Sequence, residues 1–337
     1  MAGIEGAGRG GNLGVKGPGS GPIKHGIGMA LHTWGGGGGD QHDVFVTISS
    51  DGSVLVTSST QDLGTGERTV LAIVTGETLG LNVPDITVRI GESPFGPSGG
   101  SGGSTTLPGT APAILNAASA ARDALFAKIA DRLEAKKEDL AMKPGKIVDK
   151  SGGKSWEWKE ACAKLGMDVV KGQGEWNPEL DKAGLSNQGV GGVQIAEVMV
   201  DTETGVVRCT QMVAVQDCGM VINKLCCESQ VAGGVIMGVN YALFEDRIMD
   251  RVTGRQVNPD MEFYKLGGIS DMPKIIVHMH DMPERGVIGI GEPPTISTCA
   301  AIGNAVFNAI GARVPHSPFT PDKVLAAIAQ VQKGDKA

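Results

Sequence analysis

Two stretches of period-two alternation, each followed by helix-forming sequence, constrain this chain more than any other feature. The first runs Val44-Phe-Val-Thr-Ile48, turns at Ser50-Asp-Gly52 and returns as Val54-Leu-Val56. The second pairs Val193 to Val200 with Val206 to Val215 around Thr202-Glu-Thr-Gly205. Alternation of this kind buries one face of a hairpin, and Gly closes the turn. After the first hairpin the spacing predicts a helix over 69–79, a strand over 86–90 and a long helix over 112–135. The long helix carries an apolar stripe at Ile114, Ala118, Ala121, Leu125, Ile129 and Leu133. A short helix fits 158–165. After the second hairpin, Asn223 can cap a helix reaching about Phe244, and a strand fits 275–280. A helix over 298–310 stops at Gly311, and Thr320-Pro321 opens the last one. Strands and helices alternate within two halves, so the fold class is α/β (α+β) with two subdomains. The expected division is a flexible Gly-rich arm over 1–25, a first subdomain over 26–185 and a second over 186–337, with the boundary near Ser186.

At 337 residues the chain can bury a large core. No apolar run approaches the roughly 20 residues of a membrane span, and no signal peptide is readable. A net charge of -7 excludes a nucleic-acid surface, which needs clustered Lys and Arg. The six cysteines, Cys162, Cys209, Cys218, Cys226, Cys227 and Cys299, form no CxxC pair and no zinc or iron–sulfur spacing. They are expected to be reduced thiols, mostly buried. The expected metal-ligand set is empty. His278 and His280 share one face of a strand without a third ligand, which favours a structural role.

Chemistry concentrates in three places. Ile288-Gly-Ile-Gly-Glu-Pro-Pro-Thr295 boxes Glu292 between glycine and proline ahead of an alanine-rich helix. A carboxylate on a stiff turn has a fixed aim, as a general base requires. Two glycine-rich loops, Gly64-Thr65-Gly66 and Gly99 to Ser104, each lie between a β element and a helix. Their backbone N–H groups and hydroxyls can hold phosphate or pterin oxygens, although an ordinary turn explains Gly64-Thr65-Gly66 as well. Gly99 to Ser104 matches neither the Walker nor the dinucleotide fingerprint. Gln230, beside Ala232, Gly233 and Gly234, reads equally as a ligand contact or a solvated helix position. No GxSxG elbow or Cys/His arrangement offers a covalent nucleophile.

Taken in order, these segments resemble the molybdenum hydroxylases, the xanthine dehydrogenase and aldehyde oxidase family, in the C-terminal half of their molybdopterin-binding large subunit. The similarity runs from about His25 to Ala327. Its anchors are Gln61-Asp-Leu-Gly-Thr-Gly-Glu-Arg-Thr69, Gly99 to Thr106, Val215-Gln-Asp-Cys-Gly-Met-Val-Ile-Asn223, Glu228-Ser-Gln230 with Gly233-Gly234, and Gly289-Ile-Gly-Glu-Pro-Pro294. The resemblance implies two molybdopterin-binding subdomains with Glu292 as catalytic base. It implies Gly64, Thr65, Gly66, Ser101, Gly102, Gly103, Ser104, Gln230 and Gly291 as cofactor contacts, with molybdenum held by the pterin dithiolene and not by a side chain. Many relatives have Gln where this chain has Thr65.

The family's upstream half, and its iron–sulfur and flavin-binding segments, are not in this sequence. The implied protein is therefore the catalytic subunit of a heteromeric enzyme oxidising an aldehyde by water-derived hydroxylation at an electron-poor carbon. Its cofactor would be molybdopterin, in the cytosine dinucleotide form, with molybdenum. A second molybdopterin-binding subunit would complete the site, and an iron–sulfur subunit ([2Fe-2S]) and a flavin (FAD) subunit would carry electrons away. A purine or N-heterocycle (nicotinate-type) hydroxylase subunit and a non-catalytic assembly subunit are the alternatives. The expected compartment is the cytoplasm, or the periplasm if a partner subunit carries an export signal.

Overall fold

A computed structural model describes residues 21–39, 41–176 and 189–334. In chain order the elements are β1 (Ile23–Trp34), β2 (His42–Ile48), β3 (Val54–Ser58), α1 (Glu67–Leu79), β4 (Ile86–Ile90) and α2 (Thr106–Ile129). Then come β5 (Leu140–Lys143), β6 (Lys146–Asp149), β7 (Ser155–Glu157), α3 (Trp158–Ala163) and β8 (Val170–Trp176). The rest are β9 (Val190–Asp201), β10 (Val207–Asp217), α4 (Lys224–Leu243), β11 (Lys274–His280), α5 (Thr298–Ile310) and α6 (Pro321–Gly334).

One sheet has the order β4-β3-β2-β8, with β3 and β4 parallel and joined through α1. A second has the order β1-β9-β10-β11, with β10 and β11 parallel and joined through α4. Each is a hairpin extended by one βαβ crossover, the arrangement expected when a helix must cover one face of a mixed sheet. The small antiparallel sheet β5-β6-β7 stands apart from both. Two cores follow. Val44, Val46, Ile48, Leu71, Ile114 and Leu125 fill the first, and Val198, Met212, Val235, Ile302 and Val324 the second.

Both main sheets seat a helix by the same device. On β8, a Cβ at Gly172 or Gly174 would collide with the α2 backbone at Ala113, Ala117 and Ala121. On β1, a Cβ at Gly26 or Gly28 would collide with the α5 backbone at Ala301, Ala305 and Ala309. Alternate glycines on a strand expose backbone, and alanines four apart present a helix surface flat enough to touch it. Asn304 and Asn308 lock α5 down by donating to Met29 O (2.9 Å) and Ile27 O (2.7 Å).

Three expectations need correction. Strand β1 opens at Ile23, inside the range read as an arm over 1–25, of which 1–20 lie outside the described residues. It pairs along its length with β9, so residues 26–34 belong to the second sheet and not to the first subdomain. Helix α2 begins at Thr106, six residues before the expected start, and carries Pro112 inside it. Pro108, in the first turn, has no intrahelical N–H to lose, so one proline costs nothing and the second is tolerated within a buried helix. The same helix ends at Ile129, where a short 3₁₀ turn takes over through Leu133. The boundary near Ser186 falls outside the described residues. Asn223 caps α4 as expected, its Oδ1 accepting from the Cys226 N–H at 3.2 Å. Among the described residues no helix is long and apolar enough to cross a membrane.

Candidate active site

Glu292 is held by the second glycine loop. Its Oε1 accepts from the Gly103 N–H at 2.9 Å, its Oε2 accepts from the Ser104 hydroxyl, and its own N–H donates back to Ser104 Oγ at 3.0 Å. The two segments lie 188 residues apart in sequence and belong to different sheets' connections. Ser104 is one of two non-glycine residues with positive φ (65°) among the described residues. That conformation costs a residue with a Cβ about 1–2 kcal/mol, and here the hydroxyl that grips Glu292 is what it secures.

The loop is stiffened from every side. Trp34 Nε1 donates to Gly103 O at 3.1 Å, and the Thr105 hydroxyl bridges Gly100 O (3.2 Å) and Gly102 O (3.1 Å). Ser101 Oγ donates to Gln61 Oε1 at 2.7 Å and is approached by Thr106 Oγ1 at 2.9 Å. The Glu292 turn is equally fixed. Gln194, buried, donates to Pro294 O at 2.5 Å, and Tyr241 OH donates to Thr295 O. Gln230 on α4 donates to Gly291 O.

Segment and loop can cross only because residue 289 has no side chain. A Cβ at Gly289 would overlap the Ser104 carbonyl, and the Gly289 N–H is already committed to Gly36 O at 2.8 Å. Gly289→Ala is expected to destabilise the protein by roughly 1–3 kcal/mol, as overpacking against fixed backbone does. Urea unfolding measures this; an unchanged midpoint would contradict the crossing.

The first glycine loop behaves differently. Asp62 Oδ1 accepts from the Gly64 N–H (2.9 Å) and the Gly66 N–H (3.2 Å), and Oδ2 accepts from the Arg68 N–H (3.1 Å). Partial burial opposes ionisation of Asp62, but these amides outweigh it and hold the carboxyl below its ordinary range. The loop's amides thus hold the chain's own carboxylate. Of Gly64, Thr65 and Gly66, only Thr65 lines the neighbouring cleft.

That cleft, a cavity of about 80 Å³, lies between the two glycine loops, the Ile288–Gly291 segment and the start of α4. Of the residues the sequence singled out, Thr65, Ser104, Gln230 and Gly291 line it. Gly103 and Glu292 do not line it; Glu292 is half-buried, bonded to Gly103 and next in the chain to the lining residue Gly291. Ser101 and the exposed Gly102 do not line it, and Gly66 backs onto Cys226. His278 and His280 are exposed on β11, and no group of three or more His, Cys, Asp or Glu among the described residues is placed to hold a metal.

Sequence reasoning passed over two features of this wall. Glu67, the first residue of α1, is 2 % exposed yet lines the cleft. Burial pushes its carboxyl up to about 7; the Thr110 hydroxyl opposes the rise and Asp62 adds to it. The signal was an acid directly after Gly64-Thr65-Gly66, at the head of a helix. Cys218 and Cys227 also line the cleft and share a hydrogen bond. Accepting from the Cys218 thiol holds Cys227 below its ordinary value, while that same bond and burial push Cys218 up. No sequence spacing announces this pair. Three of the six cysteines, Cys162, Cys209 and Cys218, are buried, and all six are free thiols.

A family model described as "Molybdopterin cofactor-binding domain" matches residues 12–273. The chain belongs to this family, the molybdopterin-binding domains of the molybdenum hydroxylases. It is 31% identical over 291 residues to the aldehyde oxidoreductase molybdenum-binding subunit PaoC of Escherichia coli (strain K12), covering 85% of this chain and 38% of that protein. It is 30% identical to the nicotine 6-hydroxylase large subunit of Paenarthrobacter nicotinovorans, covering 84% and 36%. The chain therefore spans under two fifths of these relatives' length. Among solved structures, the aldehyde oxidoreductase from Desulfovibrio desulfuricans matches with a TM-score of 0.69 at 29% identity, over 91% of this chain and 32% of that one. The Cu,Mo-CO dehydrogenase matches with a TM-score of 0.81 at 22% identity, over 92% and 42%, and supports the fold.

The cleft of this molybdopterin-binding domain suits the cofactor its family name specifies. Thr65, Thr106 and Gln230 supply polar contacts, and Met220, Ile288 and Ile290 an apolar wall for a flat ring. The Gln230 bond to Gly291 O uses one of two amide N–H groups and leaves the rest for a ligand.

Proposed function

We infer that this chain is the molybdopterin-binding part of a molybdenum hydroxylase and that Glu292 is its catalytic base. The observation that carries the reading is the clamp on Glu292, whose carboxylate is held in one orientation by the Gly103 N–H and by the hydroxyl of Ser104, a residue that lines the cleft. A surface charge kept for solubility has no use for two directed donors, a prolyl turn behind it and a strained serine. When bound, the cofactor supplies the two-electron oxidation and the oxygen delivered to an electron-poor carbon.

The chain's own residues do the rest. Thr65, Thr106 and Gln230 hold the cofactor's polar edges, with Ser104 and Gly291 beside them. Glu292 would take up the proton that this chemistry releases, and the two donors hold its carboxylate in one orientation. Gly64, Gly66, Ser101 and Gly102 support this indirectly, by shaping the loops that carry Thr65 and Ser104.

An aldehyde is the favoured substrate, on the likeness to the aldehyde oxidoreductases, and the likeness to nicotine 6-hydroxylase keeps an N-heterocycle as the second reading. The proposal includes the cytosine dinucleotide form of the pterin, a second molybdopterin-binding subunit that closes the cleft, and iron–sulfur and flavin subunits as electron acceptors. Apolar side chains on the second sheet's edge strand support a missing neighbour, with Met29 54 % and Leu31 68 % exposed on β1. The complex purified with its accompanying subunits is expected to carry stoichiometric molybdenum and to oxidise aldehydes, whereas the isolated chain is expected to do neither. A complex without molybdenum would overturn the enzyme reading, and full turnover by the isolated chain would overturn the divided site.

A further inference from the structure

Two thiols on the cleft wall have no part in the reaction just described. Cys218 directly follows β10 and Cys227 lies in the first turn of α4; both line the cleft and they share a hydrogen bond. Cys218 belongs to the second core and Cys227 packs against that core, so the two sulfurs meet without water between them. The other four cysteines are engaged elsewhere. Cys226 Sγ rests against the first glycine loop, where a Cβ at Gly66 would lie 2.5 Å from it, and a bridge between the adjacent Cys226 and Cys227 is strained. Cys162 sits in the first core, Cys209 Sγ donates to Gln211 O at 3.8 Å, and Cys299 lines a separate groove beside Tyr241 and Ser317.

The two sulfurs differ in character. Accepting from the Cys218 thiol at the start of α4 makes Cys227 the more readily ionised, and burial, Glu228 and Asp281 oppose this without outweighing it. Donating that same bond, together with burial, keeps Cys218 protonated. A thiolate is the nucleophile toward a peroxide, and a second thiol beside it is the resolving partner. The cavity of about 80 Å³ in front of them exceeds the roughly 10–15 Å³ that one water needs, so it admits a solute as small as hydrogen peroxide.

We propose that Cys218 and Cys227 form a modification site, a dithiol that hydrogen peroxide entering the cleft converts to a reversible disulfide. The Cys227 thiolate attacks one peroxide oxygen; the S–O bond forms, the O–O bond breaks and hydroxide leaves, taking up a proton from solvent. The Cys218 sulfur then attacks the Cys227 sulfur; the S–S bond forms, the S–O bond breaks, and the departing hydroxide takes the Cys218 proton and leaves as water. Two electrons pass from the thiols to the peroxide, which is reduced to two waters. Nothing in this chemistry requires the molybdopterin cofactor. The bond ties the end of β10 to the turn of α4 that leads to Gln230, the residue donating to Gly291 O, so oxidation acts on the wall next to the Glu292 turn.

The full chain, reduced and freed of reductant, is exposed to hydrogen peroxide, quenched with iodoacetamide at intervals and mapped by peptide mass spectrometry without reduction. Cleavage after Lys224 separates the two cysteines, and fragmentation assigns the linked positions. A pair of peptides joined through Cys218 and Cys227 is expected, returned to free thiols by dithiothreitol. Free Cys227 is expected to disappear roughly tenfold faster than free Cys226, the effect of about one unit in thiol acidity. Cys218→Ser is expected to abolish the link and leave Cys227 as a sulfenic acid that dimedone captures. Cys226→Ser is expected to form the link as wild type does. Should Cys218→Ser fail to fold, the linkage in wild type and in Cys226→Ser decides the matter.

A chain that forms no Cys218–Cys227 link under peroxide would overturn the proposal while leaving the molybdopterin reading intact. So would a bridge made by Cys226 instead, or a Cys218–Cys227 link that forms as fast in urea-unfolded chain, since the fold would then contribute nothing to it.

Discussion

Glu292→Gln is expected to lower turnover by about 100- to 10,000-fold while the protein stays folded and cofactor-loaded, the span a positioned general base contributes. The substitution is close to isosteric in its surroundings. The Gly103 N–H, now 2.9 Å from Oε1, continues to donate to the new amide oxygen. Ser104 Oγ, which now donates to Oε2, can accept from the amide NH2 and turn its hydrogen elsewhere. What disappears is the ability to take a proton. Steady-state kinetics on a preparation with matched molybdenum content isolate that loss, and the defect should appear in kcat more than in KM. A Glu292→Gln enzyme retaining more than a tenth of wild-type kcat would remove Glu292 from the role of base and leave the clamp as a structural staple.

The clamp was only half legible in the sequence. A glutamate between glycine and proline announces a fixed aim, and local stereochemistry suffices to say so. Nothing local says at what it is aimed, because Gly103 and Ser104 reach it only after two separate sheets have formed. The same division runs through the fold. Hairpins and helices whose periodicity is self-contained, such as β2–β3 and α5, stand close to where alternation and capping place them. Strand β1 does not, because Gly26 and Gly28 break its apolar alternation. Their purpose is the approach of α5, whose alanines lie some 275 residues away. The start of α2 was hidden by Pro112, which reads as a first-turn proline until Pro108 is seen to occupy that place.

Asp62 gives the sharpest difference. Glycine-rich loops advertise free amides, and here an acid two residues upstream of Gly64 takes the Gly64, Gly66 and Arg68 N–H groups before any ligand can. An acidic residue just ahead of a glycine loop is therefore evidence for a self-filled nest as much as for a binding site.

That self-filled nest sets up the second large effect, because it fixes a negative charge beside Glu67. The Glu67 carboxyl titrates near about 7 in the folded protein against an ordinary value of 4.5, with burial as the main cause. Between those values the folded chain keeps a proton that the unfolded chain has released, so stability falls as pH rises from 4.5 through about 7 and levels off above it. A displacement of this size corresponds to roughly 3 kcal/mol. Asp62 contributes with the opposite sign, and only as pH falls below its unfolded value of 3.8, outside this window. Cys227, held below 9.0, adds stability toward alkaline pH, and this cancels when wild type is compared with Glu67→Gln. Urea midpoints from pH 5 to 8 should therefore show the two proteins close together at the acid end, with Glu67→Gln more stable by roughly 3 kcal/mol at the other. Parallel curves across that range would mean that Glu67 ionises as freely in the folded chain as in water, and its place in the cleft wall would then need a different physical account.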